Sequence, residues 1–271
     1  MKLAISNIAW NKPEDEKVAE VLQGLGVKGI EVAPSKIWLT PVEVSETEVK
    51  AYRAWWESRG ISIIGMQALL FNKPALTLFE SKQRRQNTFD YLSQLIRLAG
   101  QLGVEAMVFG SPKNRKIGSV GQSQAHIIAE DFFGRLGEVA LTYNTKFCIE
   151  PNPSNYGCDF LTSISEAIAL IRKVNHPGFR LHLDSGGMIL NGEAIPSPTF
   201  LSVDEVAHFH VSEPFLLRPE KHPESHQQYA AALNDMGYRG WVSIEMKPSE
   251  DSLITDYITN AIKNVNEWYQ Q

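Results

Sequence analysis

With 271 residues, 43% of them hydrophobic and 21% charged, the chain has the make-up of a globular protein with a large core, not of a disordered one. A formal net charge of −5 and the absence of any long basic run argue against the cationic face of a general nucleic-acid binder. No apolar run approaches the roughly 20 residues of a membrane span, and Met1–Ile5 is too short for a secretion signal, so a soluble, cytoplasmic protein is expected. The two cysteines, Cys148 and Cys158, are expected to be unpaired thiols, because the first lies inside a core strand.

Leu3–Ser6 reads as a first strand, with Asn7–Trp10 as its exit. Pro13 then opens a helix whose acidic start suits the positive helix N-terminus, with Val18, Val21, Leu22 and Leu25 at helical spacing and Gly26 as its stop. Val27–Val32 is a second strand. Ser45 and Glu48 form a capping box for a helix reaching Arg59, and Ile61–Met66 is the third strand. A loop over residues 70–81 is longer than most connections, which makes it a candidate for covering a site. A helix over 82–101 stops at Gly103, and Ala106–Gly110 is the fourth strand. A cation-bearing loop with Lys113 and Arg115 leads to a helix over 123–143 and a fifth strand from Lys146 to Glu150. A helix over 163–174 precedes the sixth strand, 180–184, and an irregular stretch with Pro196 and Pro198 precedes the seventh, 207–210. A helix over 224–236, an eighth strand, 241–245, and a closing helix over 253–268 complete the chain.

Strict alternation of eight apolar strands with helices predicts a parallel sheet, and eight such units close into one (β/α)8 TIM-barrel domain spanning 1–271. No G-x-G-x-x-G follows the first strand, which argues against a doubly wound open sheet. Four strands end on polar groups: Glu150, Asp184, His210 and Glu245. In a barrel these ends converge on one rim, where active sites sit. Three carboxylates and one imidazole suit a divalent cation such as Mn²⁺, Mg²⁺, Co²⁺ or Zn²⁺. Other candidates for a pocket there are Trp10 and Trp38 after strands one and two, Gln67 at the end of strand three, and Lys113 and Arg115 in the strand-four loop. His182 and His208 share faces with Asp184 and His210, two residues on, so each is a candidate to orient a ligand.

This order of Glu, Asp, His and Glu on strands five to eight resembles the xylose isomerase-like TIM-barrel superfamily. The strings IEPNP, HLDSGG, HFHVSEP and SIEMKP resemble its sugar-phosphate isomerase/epimerase group. The resemblance implies that Glu150, Asp184, His210 and Glu245 hold the metal and that Glu150 and Glu245 are the acid/base pair. It also implies a small carbohydrate substrate, with His182 and Arg218 near it. The chemistry follows physically: a cation chelating a carbonyl and its neighbouring hydroxyl stabilises an enediolate, while carboxylates move the carbon-bound proton. Homodimers are common in that superfamily, though no stretch of this sequence marks an interface. Sugar epimerases of the group usually carry a histidine three residues after the strand-six aspartate, where Gly187 stands, and a second glutamate where Tyr156 stands. Their arginine beyond the strand-seven histidine corresponds to Arg218 only with a shift of a couple of residues. A metal-dependent dehydratase of the inosose or dehydroshikimate type is the alternative reading on the same barrel. An apurinic-site endonuclease would need further histidines where Gln67, Gly110 and Gly187 stand. A binding barrel without catalysis would not need all four ligands.

Overall fold

A computed structural model describes residues 1–249 and 253–269. Strands β1 (Lys2–Ser6), β2 (Gly29–Val32), β3 (Ser62–Met66), β4 (Ala106–Phe109), β5 (Lys146–Ile149), β6 (Phe179–Asp184), β7 (Val206–Ser212) and β8 (Trp241–Glu245) pair in chain order. All are parallel, and β8 closes on β1 from Lys2 opposite Trp241 to Ile5 opposite Ile244. The result is the expected eight-stranded barrel.

Around it run α1 (Asp15–Gly24), α2 (Pro34–Ile37), α3 (Glu46–Glu57), α4 (Lys82–Leu102), α5 (Gln122–Thr142), α6 (Ile164–Val174), α7 (Ser185–Asn191), α8 (Pro223–Asp235) and α9 (Ile254–Tyr269). Local chemistry sets their ends. Ser45 accepts the Glu48 N–H while Glu48 reaches back to the Ser45 N–H, closing the capping box that starts α3. Gly103, at φ +80°, ends α4 in the left-handed conformation that costs glycine least. The face of α6 that meets the barrel carries Ile164, Ala167, Ile168 and Ile171, all buried; each large aliphatic among them contributes about 1.5–3 kcal/mol.

Alternation along the strands separates two cores. Leu3, Ile5, Leu181, Leu183, Phe209, Val211, Val242 and Ile244 point outward into the helix–sheet core, where Phe133 stacks on Phe179 at 4.9 Å. Their neighbours point into the barrel. At its lower end Ala4, Ile64 and Trp241 form an apolar plug, tight enough that a Cβ on Gly29 would come within 2.7 Å of Trp241. Above the plug the barrel turns polar, with His182, His208 and Ser243 buried across from one another. Polar strand residues therefore face inward, and the plug leaves them only the C-terminal end to open on.

The structure differs from the sequence expectations at several points, three of which shape the rim. Glu150 falls one residue past β5, and β7 runs two residues beyond His210, because Ser212 still pairs with Glu245 on β8. A short helix, α7, follows Asp184 at once, where no helix is predicted. The Asp184 carboxylate caps it by accepting the Gly187 N–H at 2.6 Å, and a Cβ on Gly186 would come within 2.7 Å of Ser212 Oγ. The Gly-Gly pair that obscures the helix in the sequence is what lets it pack there.

Candidate metal centre

At the C-terminal rim Glu150, Asp184 and Glu245 border one cavity of about 410 Å³. Their places follow from the strands. Asp184 lies opposite His210 in the β6–β7 register, and Ser212 opposite Glu245. Glu150 is the first residue after β5, and a Cβ on Gly110 would lie 2.2 Å from its Oε2, so a larger residue at 110 would displace the carboxylate from this position.

Asp184, His210 and Glu245 each offer one ligand atom, and these atoms lie within 4.8 Å of one another. His210 Nε2 donates to Glu31 Oε2 at 2.8 Å, which aims Nδ1 at Glu245 Oε2, 3.4 Å away. That Nδ1 is buried and has no hydrogen-bond partner among the described residues. A nitrogen lone pair facing carboxylates is repulsive unless a cation lies among them, so the donor set fits a divalent metal. Without one, a second proton on His210 takes that role: burial alone would lower its pKa, but the Glu31 and Glu245 carboxylates raise it well above the histidine range. Burial raises Glu150 to about 8 and Asp184 to about 6, each with help from the Glu245 charge and Glu150 also from Asp184.

The support beneath the centre is Glu31, which the sequence reading left as an ordinary strand residue. It is fully buried on β2, accepts from His210 Nε2 and from Ser243 Oγ at 3.0 Å, and has Oε1 3.4 Å from His208 Nε2. Burial works against its charge, but His210 and His208 outweigh that and hold its carboxyl well below the usual range. Its signal was present in Ile30-Glu31-Val32, a carboxylate inside an apolar strand run, as at the other strand ends. Ser212 Oγ donates to Asp184 Oδ2 and fixes that carboxylate in turn.

Of the seven residues expected around the substrate, Gln67 lines the cavity, with its Nε2 tied to Ser6 Oγ at 2.9 Å. The other six do not line it: Trp38 packs edge-on against Tyr52, and Lys113 lies on a neighbouring cavity. Trp10 is buried, donates to Asp15 Oδ1 at 2.7 Å and packs on Trp56. Arg115 is buried and donates to the Glu150 backbone carbonyl at 2.7 Å, so it braces the β5 end from behind. His182 lies fully buried below the rim, its ring 4.1 Å from that of His210; burial, with the His210 and His208 charges, holds it well below the usual histidine range. Arg218 pairs with Glu220 and lies over the Tyr257 ring. Arginine and tryptophan read as binding groups in a sequence; here their long side chains reach neighbouring loops first.

Two residues not singled out as contacts roof the cavity on the β5–β7 side. Phe215 packs edge-on against Tyr156 at 5.7 Å and donates its N–H to Tyr156 Oη at 3.1 Å. Phe215 and Leu216 are consecutive non-glycine residues with φ near +60°. Such backbone needs to be held by its surroundings. Lys247 N–H donates to the Leu216 carbonyl at 2.8 Å, and the buried Glu213 carboxylate accepts N–H bonds from Glu220, Lys221 and His222.

Comparison with known proteins agrees with this fold. A model of the xylose isomerase-like TIM barrel matches residues 19–264. The chain is similar to a probable ketose 3-epimerase from a Synechocystis species, 22% identical over 93% of this chain and 86% of that protein. Its fold is similar to that of D-psicose 3-epimerase from Clostridium cellulolyticum H10, solved with D-tagatose (TM-score 0.78, 15% identity, 99% of each chain). It is also similar to that of the IOLI protein solved with a zinc atom (TM-score 0.76, 18% identity, 100% of each chain).

Proposed function

The chain belongs to the xylose isomerase-like TIM barrel family, and from that premise we propose that it is a divalent-metal-dependent isomerase or epimerase of a small sugar, sugar phosphate or related polyhydroxy carbonyl compound. The observation that carries the reading is the pair Glu150 and Glu245 bordering one cavity, with Asp184 and His210 on the two strands between them. The relative from Synechocystis, a probable ketose 3-epimerase, supports the same class.

Glu150, Asp184, His210 and Glu245 would hold the cation, which when bound supplies Lewis acidity to a carbonyl and its neighbouring hydroxyl. Asp184 and His210 are held rigidly for this by Ser212 and Glu31. Glu150 and Glu245 move protons. One carboxylate removes the proton from the carbon beside the carbonyl, and the other returns a proton to the opposite face, which inverts that carbon. Return of the proton to the neighbouring carbon instead interconverts aldose and ketose. The amides of Gln67 and Asn152 are polar groups on the cavity wall suited to sugar hydroxyls. A dehydratase would need an acid for a leaving hydroxyl, and neither His182, His208 nor a loop lysine lines the cavity.

Deuterium incorporation from D₂O, followed by mass spectrometry over a panel of ketoses and ketose phosphates with Mn²⁺ added, tests the reading. Exchange without loss of water is expected. Glu150→Gln and Glu245→Gln should each lower it by about 10²–10⁴-fold. Wild-type exchange in either variant ends the two-carboxylate mechanism, and loss of water moves the protein to the dehydratases.

A further inference from the structure

The metal-centred cavity has one closed side and one open side. Phe215 and Tyr156 roof it between β5 and β7. On the β3–β4 side it runs into a second cavity of about 530 Å³, and Ala68, Ser111 and Pro112 line both. The second cavity is walled by the loops after β3 and β4, including the long 70–81 segment that the sequence marks as a candidate cover. Even at a water's share of about 30 Å³ per heavy atom, the twelve heavy atoms of a hexose fill roughly 360 Å³, which the first cavity alone supplies. A monosaccharide therefore leaves the second cavity unused.

What lines that cavity is also specific. Phe71 lines it and is 62% exposed, so its ring face is free to meet a ligand. Around it stand Lys73, Asn72 and Lys113, donors suited to hydroxyls, and Thr77, a buried residue whose Oγ1 has no hydrogen-bond partner among the described residues. Three non-glycine residues of the lining, Ala68, Asn72 and Ser111, have φ of +54°, +54° and +43°, and two of them sit at the seam between the cavities. Strained backbone of this kind is retained where its placement is used. An apolar ring edged with hydrogen-bonding groups is the surface a sugar ring fits, with its C–H face on the aromatic and its hydroxyls on the rim. A phosphate alone would leave most of the volume unfilled.

We infer that the substrate is a glycoside: its keto-sugar unit occupies the metal-centred cavity, and a glycosidically linked second ring lies across the Ala68–Ser111 seam on Phe71. This rests on the reading of the first cavity as a sugar site, and the test separates the two. Calorimetric titration of the Mn²⁺-loaded protein compares D-fructose, D-fructose 6-phosphate and two ketose-ended disaccharides, lactulose and isomaltulose. At least one disaccharide is expected to bind about tenfold or more tightly than either fructose compound. Phe71→Ala, a change on an exposed side chain, is expected to remove most of that advantage. Equal affinities, a preference for the phosphate, no sugar binding, or a disaccharide preference that survives Phe71→Ala would each overturn the inference. Deuterium exchange on the same sugars reports on the reaction separately. A disaccharide bound through Phe71 but never exchanged counts against the isomerase reading alone, and exchange into fructose with no disaccharide preference counts against the second subsite alone.

Discussion

Glu31→Gln isolates the charge beneath the candidate metal centre while keeping the shape of the side chain. In the native protein Glu31 is fully buried, accepts from His210 Nε2 at 2.8 Å and Ser243 Oγ at 3.0 Å, and lies 3.4 Å from His208 Nε2. The amide oxygen can keep the His210 bond, but as a neutral bond, weaker by about 1 kcal/mol than a charge-assisted one. The amide NH₂ then turns a donor towards the His208 ring and removes the negative charge beside two buried imidazoles. Removing one member of a buried charged pair costs about 3–5 kcal/mol, and the isosteric change belongs at the lower end. At roughly 2 °C per kcal/mol for a chain of this size, the metal-free protein should melt about 6 °C lower. His210 also becomes a weaker and less well aimed ligand, so metal affinity should fall about 10–100-fold. Thermal unfolding in chelator and calorimetric titration with Mn²⁺ measure the two effects separately. A Glu31→Gln protein that binds Mn²⁺ within twofold of wild type would refute the claim that Glu31 orients and charges His210.

Three further outcomes follow from the ionisable groups. Glu150, raised from 4.5 to about 8, holds a proton at neutral pH when no metal is bound, so metal uptake must displace it along with the second His210 proton; affinity should rise with pH through 8, with proton release measurable by titration in buffers of different ionisation heat. The same raised value means that the metal-free protein loses stability as pH climbs from about 4.5 to 8, by an amount of the order of a few kcal/mol, and melts in chelator that do not fall across that window would count against it. Glu213 is the opposite case. Burial works against its charge, but the His226 and His222 imidazoles and backbone N–H groups hold it near 2, so its stabilisation is complete above about 4.5 and is lost as pH falls towards 2. Glu213→Gln should therefore flatten the acid limb of a stability–pH curve, and an unchanged limb would exclude this role.

Much of this protein follows from local rules that act within a few residues. Alternating strand and helix periods, the Ser45–Glu48 box and the Gly26 and Gly103 stops lie on the chain where the barrel uses them, because capping and periodicity need no distant partner. Glu150, Asp184, His210 and Glu245 could be picked out for a similar reason, since a charged group ending an apolar run is visible within the run itself. Longer side chains were harder to place. Trp10, Arg115 and Arg218 end on Asp15, the Glu150 carbonyl and Glu220, and nothing in their neighbourhoods on the chain chooses those partners over a substrate. Glu31 joins His210 across 179 residues, a pairing that exists only once β2 and β7 face each other inside the closed barrel. The roof of Tyr156 on Phe215 and the seam at Ala68 and Ser111 likewise join loops from different strands. The sequence by itself determined which residues can carry charge to the rim. Only the tertiary structure decided which of them meet, because barrel closure brings together groups that chain spacing leaves unrelated.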